Sequence, residues 1–272
     1  MVKYLIVNAD DFGICEATNE AIEELALAGR ITATSLMILG NSTQDAVRRV
    51  AKFKHLISIG LHATLQCDHL STAFLSDLPQ NIYEETKSLT AMKEIAAQYE
   101  KGRFYGITFD HLDSHGGTLY QESEVNCLPV CLHFCAAHNL PFRYPKNADA
   151  LIDMTPHPLT DRVKASQFEV SDFAEKKGVL LPDQVLSNHH PIENIASYEA
   201  LKKFYLRILR GLPDGITELY LHPSKPDSIH FSQDSEWQKR VWEYEFLMDP
   251  DFLETIEEEN IQLVTWTEAF SK

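Results

Sequence analysis

A chain of 272 residues, 44% of them apolar, has enough material for a substantial core and reads as globular rather than disordered. Its formal charge of -16 argues against nucleic acid or an anionic membrane surface as the main partner, since both need clustered Lys and Arg. Five cysteines, an odd count in so long a chain, are not a disulfide framework, and no apolar run approaches the roughly 20 residues of a membrane span.

The N-terminal run "MVKYLIVNADD" is too short for a signal peptide, so a cytoplasmic protein is expected. Its apolar part predicts a buried strand that ends in two adjacent aspartates, Asp10 and Asp11. "EATNEAIEELALAGR" predicts a helix stopped at Gly29, and "ATSLMIL" a second strand. "NSTQDAVRRVAKF" predicts a helix with Ser42 and Asp45 in capping-box spacing, and "LISIGLHATL" a third strand. A polar helix over 82–101, a strand "FDHLDSH" and a helix from about Asn126 to His138 follow, with Pro129 in the helix's first turn. Cys127, Cys131 and Cys135 share one face of that helix, a spacing open to a zinc site but better fitted by small core residues.

"PFRYP" predicts a short strand. Residues 145–195 are less regular, with loops at "TPHPLTD" and "LSNHHPIEN", a helix near 171–177 and a strand near 179–181. In "SYEALKKFYLRILRGL" the positions Leu201, Phe204, Tyr205, Ile208, Leu209 and Leu212 form one helix face. "ITELYLH" predicts a strand, helices are expected near 234–246 and 250–258, and "IQLVTW" is the last strand. This alternation, without repeat or linker, predicts an α/β fold of about seven parallel strands, open or closed as a barrel, with 1–272 as one domain. Right-handed connections then place every strand's C-terminal end on one rim.

Polar residues at those ends become the site candidates: Asp10, Asp11, His62, Asp113, His115, Arg143 and His222. Two imidazoles and a carboxylate suit one divalent metal ion, zinc first, with magnesium, manganese or ferrous iron as alternatives. One of the paired aspartates can ligate while its neighbour serves as general base, and His222 can give a proton to a leaving group. Asp113 suits the orientation of a ligand imidazole. His189 and His190, in a Pro- and Asn-rich loop, are weaker candidates.

The ordered motifs "NADDFG", "GLHATL", "HLDSHGG", "PFRYP" and "ELYLHP" resemble the YdjC-like carbohydrate deacetylases, the family that includes chitooligosaccharide deacetylases. The resemblance implies a distorted β/α barrel related to the NodB-type polysaccharide deacetylases, and a metal-dependent hydrolase (Mg2+ or Zn2+) that removes acetyl groups from N-acetylated sugars. It implies Asp11, His62 and His115 as metal ligands, Asp10 as general base, His222 as general acid, and Arg143 as the residue that orients or tunes the base. It also makes a homodimer plausible. The chain departs from the family where further histidines usually follow "DSH": Gly116, Gly117 and Leu119 stand there instead.

Three other readings compete. An iron oxygenase uses two His and a carboxylate but gives the second aspartate no purpose. A glycoside hydrolase needs two carboxylates across a cleft, for which Asp10 with Asp113 or Glu218 is the available pair. A non-catalytic sugar-binding protein would keep the fold alone. Lys225 and Arg143 are the cations placed to hold a 6-phosphorylated sugar.

Overall fold

The computed structural model describes residues 2–65, 80–120, 127–147, 161–227 and 235–271, with only the backbone at 80–88 and 161–166. The elements run β1 (Lys3–Phe12), α1 (Glu16–Leu27), β2 (Ala33–Leu36), α2 (Thr43–Val50), β3 (Ser58–Ala63), α3 (Gln80–Phe104), β4 (His111–Ser114), α4 (Leu128–His138), α5 (Asp161–Lys177), β5 (Gln184–Leu186), α6 (Tyr198–Arg210), β6 (Gly215–Leu221), α7 (Trp237–Met248), α8 (Pro250–Glu258), β7 (Ile261–Leu263) and α9 (Trp266–Phe270). Among the described residues no helix is long and apolar enough to cross a membrane.

Every strand pair is parallel, in the order β4-β3-β2-β1-β6-β5. The ladder has a gap between β4 and β5. Residues 141–143 bridge it: Leu112 N donates to Pro141 O and Arg143 N to Leu112 O, both at 3.0 Å, and Phe142 N donates to Leu180 O at 3.0 Å. Asp183 N then reaches Ile216 O of β6 at 2.8 Å. The ring closes as a distorted barrel. "PFRYP" thus forms an isolated bridge rather than the predicted strand, because its two prolines lack the N–H groups a ladder needs. The strand expected at 179–181 forms at 184–186 instead, where Gln184 comes level with Thr217.

β7 stays outside the ring and pairs with Lys3–Leu5 at the base of β1. It is shorter than "IQLVTW" because Thr265 and Glu268 form a capping box that starts α9. Ser42 makes no side-chain cap on α2; Asp45 pairs with Asn19 and Arg49 instead. α5 begins ten residues ahead of the predicted helix near 171. The predicted loop "TPHPLTD" lies outside the described residues up to 160.

β1 is buried on both faces, which explains its continuous apolar run. Leu5, Val7 and Ala9 face the helical layer and join the main core. Ile6 faces the barrel interior, where it packs with Ala33 and Trp266 as a floor. His111 stacks on Trp266 at 4.5 Å, one layer above this floor. A Cβ on Gly60 would come within 2.1 Å of His111 Nε2, so only glycine fits opposite that ring. The rest of the interior is polar: Asn8, Asp10, Ser35, His62, His111, Asp113, Arg143 and Glu218 are all buried. Cys127, Cys131 and Cys135 belong to the core, and burial pushes the Cys131 and Cys135 thiols up, which keeps them protonated and inert.

Candidate metal centre

The paired aspartates reach one site because the backbone bends between them. On a regular strand adjacent side chains point to opposite faces. Here β1 bulges against β2 between Ala9 and Phe12, and Asp11 takes a left-handed φ of 66°. Such a conformation costs a non-glycine residue roughly 1–3 kcal/mol and marks a site that needs it. Both carboxylates therefore face the same centre, where a straight strand would have sent Asp11 to the helical layer.

Asp11 Oδ1 lies 2.9 Å from His115 Nδ1 and 3.2 Å from His62 Nε2. The three ligand atoms all fall within 4.8 Å of one another. Donors bound about 2.1 Å from a shared cation sit roughly 3 Å apart, so this set fits one ion. His62 comes from β3, and its Nδ1 is held by Asp113 Oδ1 at 2.7 Å, the orienting contact that metal-ligating histidines use. His115 opens a single 3-10 turn after β4, in which Gly116 and Gly117 take φ of 59° and 70°. Among the described residues no side chain crowds Gly116, while Leu119 is fully buried in the core.

A second triple, Asp10, His62 and Asp113, has metal-like spacing too. A cation already stands there. Arg143 donates to Asp10 through Nη1 and Nη2 at 2.7 and 2.8 Å, and its Nη2 lies 2.8 Å from Asp113 Oδ2. Its Nε donates to Glu218 Oε1 at 2.8 Å, and its Cζ lies over the Tyr220 ring, 4.7 Å from the centroid. Asn8 Nδ2 bridges Asp10 Oδ1 at 2.7 Å and Ser35 Oγ at 2.8 Å, and Ser35 in turn donates to Asp113. The carboxyls that a glycosidase would set across a cleft surround one guanidinium instead.

His222 Nε2 lies 3.8 Å and His62 Nε2 4.0 Å from Asp10 Oδ2, so this oxygen faces both imidazoles. The His222 backbone N–H donates to Glu243 at 2.7 Å. All seven strand-end candidates, Asp10, Asp11, His62, Asp113, His115, Arg143 and His222, thus converge on one end of the barrel. His189 does not join them: it is exposed and meets the Tyr220 hydroxyl at 3.2 Å. His190 packs on Phe204. Lys225 is paired with Glu20 and Glu24, and Arg143 with its three carboxyls, so neither expected phosphate-binding cation is available.

The Asp10, Asp11 and Asp113 carboxylates need cationic partners. Among the described residues the arginines that face them are Arg143 and Arg240, the latter 2.7 Å from Asp11 Oδ2 but not aligned as a hydrogen bond, and the remaining partners are the His62 and His115 rings. Burial works against every charge in the cluster. Contacts to His115, His62 and Arg240 nonetheless hold the Asp11 carboxyl well below the usual range, and Arg143 and His62 do the same for Asp113. Burial likewise opposes the charged His62, but Asp113, Asp10 and Asp11 raise it to about 10. A divalent ion would take the place of that proton. Burial moves His222 the other way, down from its ordinary value, against the pull of Asp11 and Asp10.

Burial drives Glu218 up from 4.5 to about 8, against the pull of Arg143. Between those values the folded chain holds a proton that the unfolded chain releases, so stability falls as pH rises. Glu218→Gln removes this titration. Its melting temperature relative to wild type should therefore climb from pH 5 to pH 8.5, by an amount equivalent to a few kcal/mol at most. Any fixed cost of the buried amide cancels in the pH difference, and a flat difference would refute the assignment.

Four participants were not among the sequence candidates. Asn8 and Tyr220 stand two residues before Asp10 and His222, a spacing that strand alternation makes visible. Ser35 lies in the predicted second strand. Arg240 carries no local signal, because it reaches Asp11 from a helix outside the barrel.

An α/β barrel with an Asp-His-His cluster beside a buried Asp-Arg pair is the class that fold and site define. The family model of the YdjC-like proteins matches residues 4–258, and the chain belongs to that family. A carbohydrate deacetylase from Geobacillus stearothermophilus is 26% identical, over 99% of both chains. One from Thermoanaerobacter pseudethanolicus is 25% identical, over 98% of this chain and 99% of that one. Among solved structures, a protein of Enterococcus faecalis provisionally described as cleaving cellobiose phosphate shares the fold, with a TM-score of 0.70 and 24% identity over 98% of this chain and 99% of that chain.

Proposed function

We propose that this protein is a carbohydrate deacetylase that hydrolyses the acetamide of an N-acetylated sugar, with one divalent cation held by Asp11, His62 and His115. The observation that carries this reading is the convergence of those three donor atoms beside Asp10, whose carboxylate has one oxygen turned toward the centre. The full-length relatives named carbohydrate deacetylases support it. Two imidazole donors favour zinc over magnesium.

Bound there, the cation would polarise the acetyl carbonyl and lower the pKa of water toward roughly 7. Asp10 accepts the proton of the attacking water at Oδ2, while the bidentate Arg143 keeps its carboxylate in one plane. Asp113 holds the His62 ring in the tautomer whose Nε2 is free to ligate. His222 protonates the departing amine. Its neutral resting form requires that proton during turnover, and Asp10, once protonated, is the neighbour able to supply it.

The test is acetate release from N-acetylated mono- and disaccharides, free and 6-phosphorylated, with and without chelator and with metal analysis. We expect chelator-sensitive release, zinc in the active protein, and no advantage for the phosphorylated sugars, since Lys225 and Arg143 are both committed. Chelator-resistant release of reducing ends without acetate would replace this reading with a glycosidase.

A further inference from the structure

The inward face of β6 presents Ile216, Glu218, Tyr220 and, just past its end, His222 at alternate positions. The last three meet the Asp10–Arg143 pair in succession: Glu218 at Nε, Tyr220 with its ring under Cζ, and His222 opposite Asp10 Oδ2. β6 lies directly beside β1, with Glu218 level with Ile6 and Tyr220 level with Asn8. Glu218 therefore grips Arg143 from two inward positions below the one that holds Asp10.

That grip has an unusual form. Glu218 is fully buried and uses Oε1 alone; Oε2 is buried without a hydrogen-bond partner among the described residues. A full charge is costly in such a place. The carboxyl is accordingly raised to about 8, and burial is the cause. At neutral pH Glu218 serves Arg143 mainly as a neutral acceptor. The charge of the guanidinium is left for Asp10 and Asp113, the other carboxyls that face it. Arginine's fork is planar, so fixing Nε fixes the direction of the Nη1–Nη2 edge. The Arg143 Cζ lies over the Tyr220 ring, and the Tyr120 hydroxyl anchors the Arg143 carbonyl at 3.0 Å.

We propose that Glu218 is a positioning residue of the reaction: through Arg143 Nε it sets the plane of the guanidinium, and thereby the orientation of the Asp10 carboxylate that takes the proton. Its kinetic consequence rests on the deacetylase reading above; the hold on Arg143 does not.

The experiment compares metal-loaded wild type with Glu218→Gln, which keeps an acceptor, and Glu218→Leu, which has none. Glu218→Met replaces the leucine variant if the latter fails to fold. NMR of the Arg143 Nε–H should show slow exchange with water in wild type and Glu218→Gln, and exchange at least about 10-fold faster in the apolar variant. On acetate release, Glu218→Gln should stay within about 3-fold of wild-type kcat. The apolar variant should lose about 10–100-fold in kcat, the scale of a small misplacement of a reacting group, with KM and metal content unchanged. Its acidic limb in the kcat–pH profile should move to higher pH, and Glu218→Gln should restore it. A role confined to stability would lower the melting temperature and leave that limb in place. An apolar variant with wild-type kcat and limb overturns the proposal, as does a Glu218→Gln variant as slow as the apolar one with its Nε–H still protected. A wild type that releases no acetate overturns the functional reading instead, and the exchange measurement still decides whether Glu218 holds Arg143.

Discussion

Asp10→Asn should keep its metal and lose about 10²–10⁴-fold in turnover, the usual range for a missing general base. Asp10 Oδ1 accepts from Arg143 Nη2 and Asn8 Nδ2, while Oδ2 accepts from Arg143 Nη1 and faces His62 and His222. An asparagine would leave its oxygen where two donors meet and turn its NH₂ toward Arg143 Nη1. Two donors would then oppose each other in a dry interior, so a lower melting temperature should accompany the kinetic loss. Metal analysis separates this from a ligand role, because neither Asp10 oxygen belongs to the Asp11–His62–His115 triple. If Asp10 merely closed a turn, the variant would turn over at close to the wild-type rate. That result would remove the base from Asp10 and redirect the search to Asp113.

His62→Ala should abolish both metal binding and acetate release. The change removes the Nε2 donor 3.2 Å from Asp11 Oδ1 and strips Asp113 Oδ1 of its partner at 2.7 Å. Three carboxylates then lose their shared imidazole in a site with little water to screen them. Breaking one partner of a buried pair commonly costs about 3–5 kcal/mol, so the metal-free variant should melt well below metal-free wild type. His115→Ala should lose metal with a smaller stability cost, because its side chain is a third exposed while that of His62 is almost wholly buried. Elemental analysis with thermal melts of both variants checks this. Full metal occupancy in either variant would show that the ligands are a different set.

Much of the site is legible from strand ends. Asp10, Asp11, His62, His115, Arg143 and His222 stand at or just past predicted strand ends, and parallel right-handed connections bring such ends to one rim whatever the details of the loops. The role of Asp113 beside His62 follows from alternation along one strand. Helix boundaries driven by an apolar stripe and a clear stop, as in α1 and α6, are local and readable too.

The rest depends on contacts that no local pattern encodes. A prolyl segment closes the barrel with single hydrogen bonds, so its span gives no strand signal. The Asp11 backbone turns left-handed because the β1 bulge and the pull of His62 and His115 outweigh the preference of an extended chain. Asp45 abandons its cap for Asn19 and Arg49, since tertiary partners offered more than the helix end. Glu218 looks like an ordinary strand residue in sequence, and only a closed, dry interior makes its carboxyl unusual. The sequence alone therefore determined which chemical groups stand at the strand ends and that parallel pairing would gather them. Only the tertiary structure decided their pairing partners and charge states, because desolvation and the competition of several carboxyls for one guanidinium exist nowhere but in the packed barrel.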